Sequence, residues 1–339
     1  MRPATATLIT SSLALIAWGC DKLPSRPNSS LRAPTAELSW QSACDAPRIP
    51  KYSQLDFATG WSRDGQQVAF RRAFQSPIGP PGLYVERRTG GHTTFVTAGD
   101  LFWPKDVSFD PSGSRISWVS DFRLYVGDLR SRSVSGPLGG TNGVTFADWS
   151  PIDDRLVIAR ANILRDLPED SIGFHILDLQ SGVDTPLRAN GRPLVGSWPR
   201  WAPDGRSIAM AEYNEGARIS LLSLATGQLR VIWQGGAGDR FVNLHWTQIS
   251  PYVQPRLVFE KVAGDSQGSY EFIPGTGQVL RLNIQLSLYD RFSPARREVL
   301  LHELDERDSI GVLFLRPVDG PRKASDRQIT FWCSRNEAR

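Results

Sequence analysis

Trp201-Ala202-Pro203-Asp204-Gly205-Arg206-Ser207-Ile208-Ala209-Met210 is the stretch from which the architecture of this 339-residue chain is read. Trp201 is a large aromatic suited to a half-buried pleat. Pro203-Asp204-Gly205 punctuates a turn, because proline presets φ and glycine accepts a positive φ. Ser207 to Met210 then resumes an extended apolar pattern, so the stretch reads as strand, tight turn, strand. The pattern recurs from Trp61, Phe109 and Trp149, and in degraded form from Trp246 and Phe292, where Asp-Gly is missing. Each copy runs into an apolar triplet: Val68-Ala69-Phe70, Ile116-Ser117-Trp118, Leu156-Val157-Ile158, Ile208-Ala209-Met210, Leu257-Val258-Phe259 and Val299-Leu300-Leu301. The aromatic anchors are spaced 48, 40, 52, 45 and 46 residues apart. A period of about 45 residues with several short strands per unit is the signature of propeller blades.

The second half of each unit adds two strands. Leu83-Tyr84-Val85, Leu124-Tyr125-Val126, Phe174-His175-Ile176 and Ile219-Ser220-Leu221 each read as a third strand. In most copies it ends at a Gly turn such as Thr226-Gly227, and Gln228 to Ile232 is a typical fourth strand. The aromatic-Ser-Pro-Asp-Gly pattern, followed by Leu-Tyr-Val-x-Asp-Leu-x-x-Gly, resembles the repeat of TolB-like propellers over residues 55–332. The resemblance implies an all-β fold, a six-bladed β-propeller with four antiparallel strands per blade, closed without long exposed edges. It is specific for fold and says little about function.

The expected organisation is a signal peptide over residues 1–19, a Pro/Ser-rich tether over 20–40 and the propeller over 41–339. Arg2 precedes an apolar run, Leu8 to Trp18, which is of secretory length and too short to span a bilayer. Gly19-Cys20 follows, and the segment resembles a bacterial lipoprotein signal in which Cys20 becomes the lipidated first residue. The Pro and Ser residues after it keep the tether extended. The expected location is the cell envelope, on the periplasmic side or the cell surface, with the membrane reached through the lipid.

Net charge is +4, and the Arg pairs Arg71-Arg72, Arg87-Arg88 and Arg296-Arg297 are scattered. A nucleic-acid footprint needs clustering, so no nucleic-acid partner is expected. Gly264-Asp265-Ser266-Gln267-Gly268 matches the G-x-S-x-G nucleophile elbow, but it lies between two strands with no helix after it, which that motif requires. The histidines, His92, His175, His245 and His302, show no ligand spacing. His175 reads as a hydrogen-bonded core residue, and His245, beside the Trp246 anchor, as a residue of the central channel. Arg165 to Asp170 and His302 to Asp308 read as charged loops; their carboxylates suit calcium but lack the order of a calcium loop. No catalytic residue, metal site or cofactor is expected.

What remains is a surface. The rim formed by the second-to-third-strand loops and the inter-blade connections collects Phe74, Phe102, Trp103, Trp198, Tyr213, Trp233, Arg240 and Phe241. These are hot-spot residue types, unless they plug the core. The function expected is a monomeric, non-catalytic platform for a protein or cell-envelope partner, in which losing Trp103 and Trp198 weakens binding with little effect on stability. The alternative is a glycan-binding, hydrolytic or lyase propeller that uses channel residues Asp148, Arg200, His245, Asp290 and Arg291. Lipidation of Cys20 leaves Cys44 and Cys333. In an oxidising compartment these are expected to bridge, at the seam where ring closure brings the first and last blades together.

Overall fold

The computed structural model describes residues 56–73, 80–89, 93–98, 107–161, 171–213, 216–236, 238–247, 254–282, 291–294, 298–305, 310–317 and 327–328. These residues form strands and turns, with no α-helix among them. The first sheet comprises β1 (Asp56–Trp61), β2 (Gln67–Arg72), β3 (Gly82–Arg87) and β4 (Thr94–Ala98), and the second β5 (Val107–Phe109), β6 (Arg115–Ser120), β7 (Arg123–Asp128) and β8 (Ser133–Ser135). The third holds β9 (Val144–Trp149), β10 (Arg155–Arg160), β11 (Gly173–Asp178) and β12 (Asp184–Pro186), followed by a hairpin of β13 (Arg188–Ala189) and β14 (Arg192–Pro193). The fourth is β15 (Gly196–Trp201), β16 (Ser207–Glu212), β17 (Arg218–Ser223) and β18 (Leu229–Gln234), and the fifth β19 (Arg240–Thr247), β20 (Arg256–Ala263), β21 (Gly268–Ile273) and β22 (Gln278–Arg281). The sixth is β23 (Arg291–Phe292), β24 (Glu298–Asp305), β25 (Ile310–Pro317) and β26 (Arg327–Gln328). Among the described residues, then, there are six four-stranded sheets, each an antiparallel meander in sequence order.

The recurring turn explains why the units are alike. Ala202 N–H donates to Ser207 O at 2.8 Å and Ser62 N–H to Gln67 O at 2.9 Å, closing the same turn in different blades. In both, the turn glycine (Gly65, Gly205) sits at a φ of 67°, where only glycine is unstrained. The Trp149 copy and the degraded Phe292 copy close the same way: Ser150 N–H donates to Arg155 O at 2.8 Å and Ser293 N–H to Glu298 O at 2.9 Å. The strand pairing of Phe292 with Val299 keeps the sixth blade in the common register despite its altered turn.

Packing between blades is apolar. Ala69, Leu83, Ile116 and Trp118 join the first and second blades, and Val119, Leu124, Trp149 and Leu156 the second and third. Val157, Phe174, Trp201 and Met210 join the third and fourth, and Ile219, Phe241, Leu257 and Phe259 the fourth and fifth. Ala58, Phe70 and Tyr84 pack on Leu300, Leu313 and Leu315, so the first and last blades are neighbours. Each fully buried Leu, Ile, Val, Phe or Met among them contributes about 1.5–3 kcal/mol. Residues 248–253, between β19 and β20 of the fifth sheet, and 283–290, between the fifth and sixth sheets, lie outside the described set, as do Cys44 and Cys333.

Three local readings of the sequence are refined here. The hairpin β13–β14 accounts for the long spacing before Trp201; its turn is Asn190-Gly191, with φ of 50° and 78°, the hairpin dipeptide of Asn-Gly loops. Leu187 and Leu194 flank it and are buried in the core of the third and fourth blades. His302 to Asp305, read as a loop, belongs to strand β24 and pairs residue for residue with β25, because the apolar run from Val299 carries the strand further than the charges indicated. Gly264 to Gly268 joins strands β20 and β21, with Ser266 at a φ of 57°, so it is a hairpin turn and no nucleophile elbow. The charged stretch 165–170 lies outside the described residues.

Candidate functional site: the central channel

In a four-stranded meander the first-to-second-strand turns all emerge on one face. At that face a cavity of about 190 Å³ is lined from all six blades, by residues that include Gly60, Ser108, Asp148, Arg200, His245 and Pro294. The first five directly precede the aromatic anchors, so a single register position supplies the channel wall. Arg291 holds the same position in the sixth blade; its side chain is outside the described set.

Bulges in the inner strands deliver this position to the channel. The register shifts between Ala58 and Gly60, between Ser197 and Arg200, and between Val242 and His245. A bulge re-aims the side chains that follow it. Trp198 and Asn243 occupy the same place in the fourth and fifth blades and take φ of 56° and 55°. In the first blade the position is glycine because a Cβ on Gly60 would lie 2.3 Å from the Val107 carbonyl oxygen of the next blade.

The channel side chains stitch each blade to the next. Ser108 Oγ donates to Asp148 Oδ1 at 3.0 Å and accepts from the Trp149 N–H at 2.8 Å. Asp148 Oδ2 accepts from the Trp201 N–H at 2.8 Å. Arg200 Nε donates to the Leu244 carbonyl at 2.6 Å. Second, third and fourth blades thus each hold the inner-strand backbone of their successor. His245 Nδ1 lies 2.9 Å from its own blade's Asn243 carbonyl. The anchors reinforce the stitching: the Arg115 guanidinium lies 4.9 Å from the Trp149 ring and Arg155 5.5 Å from the Trp201 ring, each reaching from the preceding blade. Asp148→Ala is expected to destabilise the chain by about 1–3 kcal/mol, since it strands a buried backbone N–H and a hydroxyl. Denaturant titration checks this, and Asp148→Asn, which keeps an acceptor, is expected to lose less.

Arg63 adds a contact that no local pattern announces. It lies on the turn of the first blade, and its Nη2 donates to the Pro203 carbonyl on the turn of the fourth. In a ring of six these blades face each other, so the side chain spans the channel mouth. Burial pushes the Arg63 pKa down, and the field of Asp148 opposes this.

The opposite rim is less exposed than its composition indicated. Trp198 is 4% exposed, its ring 4.6 Å from Phe146 of the third blade, and Phe241 is buried. Both are core plugs, because the bulge turns Trp198 into the blade junction. Trp233 is half-buried among Phe241, Phe259 and Tyr270, 4.6 Å from the Tyr270 ring. Tyr213 and Arg240 are exposed. Trp103, Phe74 and Phe102 lie outside the described residues. His175 is a buried residue of the third blade, its Nδ1 2.9 Å from Asp184 Oδ1. Burial pushes the Asp184 carboxyl up, but the His175 hydrogen bond and the Arg160 charge bring it below the ordinary range. Among the described residues, no group of three or more His, Cys, Asp or Glu is placed to hold a metal ion.

The sequence matches no protein-family model and no curated protein. The structure is similar to TolB from Acinetobacter baumannii, with 14% identity and a TM-score of 0.57 over 80% of this chain and 63% of that one. This chain therefore spans less than two thirds of that protein. It is also similar to an oligogalacturonate lyase in complex with manganese (15% identity, TM-score 0.54, covering 79% of this chain and 91% of the lyase). A third similar structure is an oligogalacturonate lyase from Vibrio parahaemolyticus (12% identity, TM-score 0.53, 83% and 79%). At these identities the likeness is one of fold: a TolB-like β-propeller.

Proposed function

We propose that the chain is an exported, lipid-anchored, non-catalytic propeller that binds a protein or cell-wall partner outside the cytoplasm. The observation that carries this reading is how the channel uses its polar groups. Ser108, Asp148 and Arg200, the groups that general acid–base or electrostatic catalysis would draw on, are bonded to the backbone or side chains of neighbouring blades. The envelope location and the anchor rest on the N-terminal segment, with Cys20 as the lipidated residue and the Pro/Ser stretch as tether. Binding is then left to the rim, where Tyr213 and Arg240 offer exposed polar-aromatic surface.

The second reading, a glycan-binding, hydrolytic or lyase propeller, draws on the fact that Asp148, Arg200 and His245 line one cavity. A metal and sugar screen by thermal shift separates the two. A large metal-dependent rise in melting temperature, lost in His245→Ala, would favour the second. The anchor has its own test in detergent phase partition. The full-length chain is expected in the detergent phase and Cys20→Ala in the aqueous phase; a variant that stays with detergent would remove Cys20 as the attachment point.

A further inference from the structure

We propose that the cavity beneath Arg63 binds a small oxyanion, a carboxylate or a phosphate. The balance of charge and hydrogen bonding at the channel mouth points to this ligand. Among the described residues, two guanidinium groups, Arg63 and Arg200, and the imidazole of His245 line the cavity, against the single carboxylate of Asp148. Both oxygens of that carboxylate already accept hydrogen bonds, from Ser108 and from the Trp201 N–H. Arg63 is the unspent cation. It donates to one neutral backbone carbonyl, that of Pro203, and makes no ion pair among the described residues. A guanidinium offers five donors in a planar fork whose preferred partners are carboxylate and phosphate. Arg63 is exposed at the mouth, and one carbonyl leaves most of that capacity open to a ligand in the cavity and without a counter-charge among the described residues.

An oxyanion in the cavity meets both deficits. It supplies a counter-charge to a guanidinium that makes no ion pair among the described residues, and it accepts from donors of the fork that Pro203 does not take. The volume, about 190 Å³, is roughly tenfold what one buried water needs. The proline turns Pro111, Pro151, Pro203 and Pro294 line the same opening and have no backbone N–H to offer. Among the described residues of these turns, Arg63 is therefore the cationic group that lines the mouth and discriminates by charge. The inference goes beyond the platform reading and does not depend on it, since the anion site and the binding rim lie on opposite faces.

The test is isothermal titration and thermal shift of the detergent-solubilised full chain with sodium phosphate and with sodium acetate, at constant ionic strength against sodium chloride. The expected result is a saturable rise in melting temperature with at least one of the two anions, and affinity at least tenfold weaker in Arg63→Ala. Arg63→Lys, which keeps the charge and loses the fork, is expected to fall between. Arg206→Ala removes an exposed arginine outside the cavity and is expected to bind as the parent does. Phosphate binding without acetate binding identifies the ligand as a phosphate, and the converse as a carboxylate; each supports the site. A response to neither anion beyond that to chloride would overturn the proposal, as would equal affinity in the parent and Arg63→Ala. Circular dichroism establishes that the variants are folded, and Arg63→Gln serves as the charge-removing variant if Arg63→Ala is not.

Discussion

Asp56→Ala is expected to lower the unfolding free energy by about 3–5 kcal/mol, read as a drop in denaturant midpoint at unchanged slope. Asp56 and Arg72 form a two-pronged ion pair inside the first blade, with Nε to Oδ1 at 2.8 Å and Nη2 to Oδ2 at 2.9 Å. Both side chains are out of solvent, at 0% and 2% exposure. The Arg72 guanidinium also lies 4.8 Å from the Tyr84 ring, and the Tyr84 hydroxyl donates to the Pro80 carbonyl at 2.6 Å. Removing the carboxylate leaves a buried cation with no counter-charge in the pair, and most of the expected loss is that uncompensated charge. The double variant Asp56→Ala, Arg72→Met removes both charges and is expected to recover part of the loss. If the double variant were no more stable than Asp56→Ala, the charge would not be the cause.

Trp198→Ala is expected to cost about 3–5 kcal/mol, the range for truncating a buried aromatic. The residue contributes to the core between the fourth and fifth blades, packed with Ala209, Ala211 and Phe241 and tilted against Phe146 of the third blade. This reverses what its place among rim aromatics implied, a loss of partner binding at little cost in stability. Denaturant titration and a binding assay on the same variant separate the two. A stable Trp198→Ala chain with impaired partner binding would show that the ring acts at the surface. For Trp103 the expectation of a binding role stands as a proposal.

How far the sequence could be read depended on the range of the interaction concerned. Strand and turn positions follow from alternation and from Pro-Asp-Gly chemistry, which act over a few residues, so the anchors Trp61, Phe109, Trp149 and Trp201 end their inner strands as expected. Repetition then made the ring legible, since a meander repeated six times must place its first strands side by side. The channel positions Asp148, Arg200 and His245 were readable by the same logic, as the residues one before an anchor. Ser108 sits in that register too and could have been found there. The Asn190-Gly191 hairpin carried a signal as well, in its Asn-Gly dipeptide.

Other features had no local signature. Whether Trp198 faces solvent or core turns on a bulge and a left-handed φ of 56°, and a bulge adds one residue without changing the composition around it. The Asp56–Arg72 pair and the His175–Asp184 contact join residues on paired strands, where register decides which charges meet. Arg63 reaches Pro203 across 140 residues of chain only because closure sets the first blade opposite the fourth. Short-range pattern therefore determined the strands, their number per unit and the inner-strand wall. Tertiary packing decided which aromatics are buried, which charges are matched and which cation spans the channel, because those outcomes depend on distances that exist only once the ring has closed.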